Sequence, residues 1–158
     1  MTEEERHVCT LIRTAFAGVT LGAGVGLRQG QGLDDYADAR TLAALRARDE
    51  KHDWSVLPVA ELDSCYSSLS FFDVEGMRFH LPAYLVADLE GALRTADPLF
   101  HLVHLVDGAE SRFELLSAAQ REAVRAYLLL RLSDATHEFV HPRIRAALDT
   151  YWAQKSTS

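Results

Sequence analysis

A chain of 158 residues with 48% hydrophobic and 25% charged residues has the length and balance of one globular domain, 1–158, and not of a disordered segment. Its formal net charge of -7 argues against unaided binding to nucleic acid or to an anionic membrane, where neutralising phosphate supplies most of the affinity, and is compatible with a basic protein partner. Cys9 and Cys65 lie in no C-x-x-C pair, so they read as two reduced, buried thiols. The first residues carry no cationic segment followed by an apolar one, and no apolar run reaches the ~18 residues of a membrane span, which places the expectation in the cytoplasm.

In chain order, Thr2 and Glu5 form a capping-box pair ahead of Val8, Leu11, Ile12, Ala15 and Phe16, whose spacing predicts a helix ending at Gly18. Six glycines between Gly18 and Gly32 then predict a long irregular surface loop over 18–32, suited to contacting a partner. Helix is expected to return at Leu33, with Asp34 and Asp35 in its first turn, where negative charge suits the dipole. Tyr36, Ala39, Leu42, Ala43 and Leu45 would form its apolar face. The charged stretch 46–53 should be solvated, and Trp54 should bring the chain back to the core.

Leu62, Cys65, Tyr66 and Leu69 share a face of a helix over 59–69 that starts near Pro58. A turn at 73–76 leads into the short run Met77 to His80, and Pro82 is expected to open a helix through about Leu93, with Leu85, Val86, Leu89 and Leu93 inward. The apolar run 99–106 reads equally as a strand or a buried helical turn. Ser117 and Gln120 cap a helix over 118–132 that is apolar around much of its girth, the expected central helix, and a last helix begins at Pro142. The fold class that results is mainly α, a bundle of five or six helices with room for one short β pair.

Among chemical motifs the sharpest is His137-Glu138-Phe139-Val140-His141. An H-E-x-x-H string binds zinc when one continuous helix carries both histidines. Pro142 disfavours helical geometry at His141, so the two should fall on different elements and no metal site is expected. His101 and His104 share a face only on a helix and read as core histidines. Gly22-x-Gly24-x-Gly26 lacks phosphate-loop spacing, and Asp34, Asp35 and Asp38 lack the glycine and glutamate positions of a calcium loop. Neither a nucleophile motif nor a cofactor fingerprint is present, so no catalytic residue or cofactor is assigned.

The segment Gly76-Met-Arg-Phe-His-Leu-Pro-Ala83, with Leu116, Ser117, Gln120, Ala123 and Val124 downstream, resembles a bacterial family of unknown function built around a G-M-R-F-[HY]-L-P-A core. The resemblance implies a bacterial, cytoplasmic, single-domain protein and no mechanism. Read physically, an extended 78–81 would turn Arg78 and His80 outward together, either to hold a carboxylate or phosphate or to brace Glu75 or the acids of 34–53. The leading expectation is a non-enzymatic binding protein, in concrete form an immunity- or antitoxin-like inhibitor of a basic bacterial effector or toxin, acting through the glycine loop, Asp34, Asp35, Asp38 and Trp54. The alternative is an enzyme or small-ligand binder with a pocket lined by Arg78 and His80.

Overall fold

The computed structural model describes residues 1–153. Eight α-helices follow one another among the described residues: α1 (Glu3–Ala15), α2 (Leu27–Asp34), α3 (Ala39–Arg48), α4 (Val59–Ser64), α5 (Val74–Leu89), α6 (Pro98–Val103), α7 (Ala118–Leu132) and α8 (His141–Ala147). Short 3₁₀ turns cover Trp54–Val56, Tyr66–Ser70, Ala109–Phe113 and Ala135–Val140, and a π turn covers Leu148–Trp152. The mainly α fold holds, with no strand among the described residues, and the run 99–106 is helical as far as Val103.

The most deeply enclosed helix is α5, which buries residues on every side, from Gly76 and Met77 through Phe79, Leu81 and Tyr84 to Leu89. Expectation had given that place to α7. α7 is amphipathic instead: Ala123, Val124, Tyr127 and Leu128 face α1 and α8, while Leu129 is half exposed. Pro82 does not open α5 but sits inside it. Its missing N–H leaves one carbonyl of the ladder without a donor and ordinarily breaks a helix. Here both flanks of the proline are packed: Phe79, Leu81, Tyr84 and Leu85 have no exposed surface. Burial of four large side chains, at about 1.5–3 kcal/mol each, exceeds the roughly 3 kcal/mol that an interior proline costs. The real start of α5 is Asp73, whose side chain accepts the Gly76 N–H.

The glycine-rich stretch is the larger departure from expectation. Only 18–26 is irregular, and Leu27–Asp34 is α2. Glycine survives in that helix because its neighbours press close. A Cβ on Gly30 would lie 2.9 Å from the Ser68 side chain, and one on Gly32 would lie 2.7 Å from Leu45. Helix propensity lost at the glycines, about 1 kcal/mol each, is offset by packing α2 between α3 and the 66–70 turn.

Asp34 and Asp35 therefore end α2 rather than begin a helix. Asp38 is the N-cap of α3, where its carboxylate accepts the Thr41 N–H. Tyr36 is on no apolar face: it takes φ 57° in the joint between α2 and α3 and is 95% exposed. Tyr66 likewise turns outward from the face formed by Leu62, Cys65 and Leu69.

Candidate functional site

The stretches 18–32 and 46–53 were expected to face solvent, and instead they are tied to each other and to the start of α5. The Ala23 N–H donates to the Glu75 carboxylate at 2.9 Å and the Val25 N–H to Asp73 at 3.0 Å. The Arg46 guanidinium donates to the Gly22 and Gly24 carbonyls at 2.8 and 3.1 Å. Asp49, 6% exposed in a stretch read as solvated, accepts the Arg28 and Gln29 N–H groups at 2.8 and 3.1 Å. Burial pushes its carboxyl above the usual carboxylate range, and those two N–H donors pull against that rise. The place a phosphate would take at the start of α2 is thus filled by the chain's own carboxylate. Gly26 lies so close to it that a Cβ there would meet Asp49 Oδ2 at 2.2 Å.

The same contacts revise the reading of Gly76-Met-Arg-Phe-His-Leu-Pro-Ala83. Gly76 makes no turn; it lies in the first turn of α5, where a Cβ would come within 2.6 Å of the Val25 carbonyl. Residues two apart share a face in a strand but lie on roughly opposite sides of a helix, so on α5 Arg78 and His80 do not project together. His80 has no exposed surface. Its Nδ1–H donates to the Gly76 carbonyl at 2.7 Å, and its ring stacks on Phe72 at 4.2 Å. Burial pulls its pKa down to about 4, so the ring is neutral. Glu75, which Arg78 or His80 was to brace, is held by the Ala23 N–H.

The remaining candidates lie apart. Trp54 is buried, with its indole N–H donating to the Phe16 carbonyl at 2.9 Å, and its edge borders an open depression beside Arg13 and His52. Asp34, Asp35 and Asp38 cluster at the α2–α3 joint around Tyr36. Arg78 and His80 line neither this depression nor the clefts described next. Asp34, Asp35 and Asp38 are neighbours in the chain at the α2–α3 joint, Trp54 lies in the 54–56 turn, and Arg78 and His80 lie on α5.

His137 and His141 are on different elements, as expected, but the break falls elsewhere. His141 has ordinary helical angles at the start of α8, and the non-helical residue is His137 at φ −106°, ψ 18°. The His141 Nε2–H donates to the Arg131 and Asp134 carbonyls, and His137 Nδ1 is 3.2 Å from the Asp134 carboxylate. The His141 ring thus ties the start of α8 to the end of α7, and the His137 ring braces the turn that follows α7. His101 and His104 do share a helical turn. Burial, with Arg112 adding to it, pulls the His101 pKa down to about 4, and the two line a small cleft with Arg112 and Phe113.

A larger cleft, which the sequence did not reveal, opens between α6, the 135–140 turn and α8, with a volume of about 450 Å³. Leu99, Val103 and Val140 line it, and Phe100 and Phe139 border it with 43% and 85% of their surfaces exposed. At one end Asp88 accepts hydrogen bonds from the Tyr127 hydroxyl and, at 3.0 Å, from the Arg131 guanidinium. Arg131 is 7% exposed and also approaches Asp134 at 3.7 Å, so its buried charge lies between two carboxylates. Asp97 and Arg143 lie on the same cleft. A visible signal for it existed in Phe139, an aromatic among polar neighbours.

A family model described as Family of unknown function (DUF6714) matches residues 4–156. No curated protein and no solved structure matches the chain.

Proposed function

We propose that this chain, which belongs to that family of unknown function, is a non-enzymatic protein-binding module of the bacterial cytoplasm, in concrete form an immunity- or antitoxin-like inhibitor of a basic effector. The observation that carries the reading is Tyr36. Its ring stands 95% exposed at the turn between α2 and α3, with Asp34, Asp35 and Asp38 beside it in the chain. A left-handed φ is uncommon for an aromatic residue and fixes the backbone that presents it. Exposed tyrosines are frequent anchors of interfaces, and a tyrosine among carboxylates suits an arginine or lysine, which gains both the ring face and the charges. The net charge of -7 adds long-range attraction for a basic partner.

Support also comes from His80, which has no exposed surface, and from Arg78, which with it lines none of the clefts described above. The test is capture of a partner from the native host by the immobilised full chain, alongside a variant combining Tyr36→Ala with Asp34→Asn and Asp35→Asn. The proposal expects one basic protein held one-to-one, at least about tenfold more weakly by the variant, with affinity falling as salt rises. Retention of no protein, or equal retention by the variant, overturns it.

A further inference from the structure

We propose that the cleft between α6 and α8 is a small-molecule site for a zwitterionic α-amino acid with a large apolar side chain, its ammonium group meeting Asp97 and its carboxylate meeting Arg143. This site is separate from the Tyr36 surface and does not depend on it. The volume of about 450 Å³ falls within the few hundred to a thousand cubic ångströms typical of ligand sites. Leu99, Val103 and Val140 give it an apolar floor, and Phe100 and Phe139 stand open at its border.

The charges on the cleft differ in what they already hold. Asp88 is engaged by Tyr127 and Arg131, and His137 by Asp134. Asp97 uses one oxygen, Oδ1, to accept the Phe100 N–H at 3.1 Å, and no ion pair involves it among the described residues. Arg143 is in no ion pair among the described residues either. Its side-chain contact is with His104 Nδ1 at 3.4 Å, and this leaves most of the five guanidinium N–H donors open.

The cleft therefore offers one open acceptor of negative charge, one open donor group of positive charge and an apolar floor between helices. A simple anion would meet Arg143 but be repelled by Asp97, and a simple cation would meet the reverse. A zwitterion satisfies both, and its side chain takes the apolar floor. The apolar contact selects against small amino acids, whose side chains leave that floor in water.

The experiment is titration of the full chain with L-phenylalanine and L-leucine, followed by heteronuclear NMR. Three comparison probes are used: L-alanine, 3-phenylpropanoate, which lacks the ammonium group, and 2-phenylethylamine, which lacks the carboxylate. The expected result is saturable shifts at the amides of Leu99, Val103 and Val140 with L-phenylalanine or L-leucine, and affinity at least about tenfold lower for each comparison probe. Asp97→Asn, which keeps an acceptor for the Phe100 N–H, and Arg143→Gln should each weaken binding by about tenfold or more while the melting temperature stays within a few degrees. Shifts with neither amino acid at millimolar concentration overturn the proposal. So does equal binding of either single-charge probe, or unchanged affinity in both variants.

Discussion

The segment 18–53 and the cleft between α6 and α8 treat polar and apolar groups in opposite ways. In the first, backbone N–H groups and carbonyls of a glycine-rich stretch meet Asp49, Asp73, Glu75 and Arg46, so a segment with few apolar side chains is held by charge-assisted hydrogen bonds. In the second, Phe100 and Phe139 remain in water beside a charged pair that holds no ion pair among the described residues. The difference teaches that composition alone misplaces function here. Asp49, Asp73 and Glu75, which look available in the sequence, are engaged internally, whereas Asp97 and Arg143 on the cleft are in no ion pair among the described residues.

Substitution at Gly26 should break the first region most severely. A Cβ in Gly26→Ala would press on the Asp49 carboxylate, and either the clash or the loss of the two N–H bonds to Asp49 should cost about 3 kcal/mol, read as a fall of about 10 °C in melting temperature. His80→Phe sharpens the account of α5. His80 is neutral when folded, with a pKa of about 4, and takes up a proton near 6.5 when unfolded. The stability this contributes is complete above pH 6.5 and is lost as pH falls towards 4. The native protein should therefore lose about 3 kcal/mol more than the variant over that interval in denaturant titrations, while His101 keeps a residual dependence in both.

A smaller effect is expected at Gly18, where φ is 78° and nothing lies within 4 Å of an added Cβ. Gly18→Ala should cost about 1 kcal/mol by backbone strain alone, separating conformation from crowding. The least is expected at the cleft: Phe139→Ser should change stability by less than about 0.5 kcal/mol, because that ring is 85% exposed. A large loss there would mean that the two regions do not differ as described.

Local signals read truly where the chain is amphipathic and capped. α1 starts at its Thr2 cap, although without the reciprocal Glu5 bond of a capping box, and α7 falls where its periodicity and the Ser117–Gln120 capping box put it. Glycine and proline misled, for one reason. Both were weighed by local propensity, whereas Gly30 and Gly32 sit in a helix because Ser68 and Leu45 approach them, and Pro82 sits in one because α5 is enclosed. Such contacts join residues tens of positions apart, so no window of sequence contains them. The separation of His137 from His141 was legible, although its seat at His137 was not. Beyond the lone aromatic Phe139 the cleft was hidden, since Asp97, Phe100, Phe139 and Arg143 share no motif and meet only through the packing of α6 on α8.

Amide hydrogen exchange of residues 20–30 tests the central claim most directly, that the glycine-rich stretch is an acid-clamped, rigid part of the fold. The N–H groups of Ala23, Val25, Arg28 and Gln29, which donate to Glu75, Asp73 and Asp49, should exchange at least about a hundredfold more slowly than in an unstructured peptide. Exchange of all four within about tenfold of the peptide rate would contradict it.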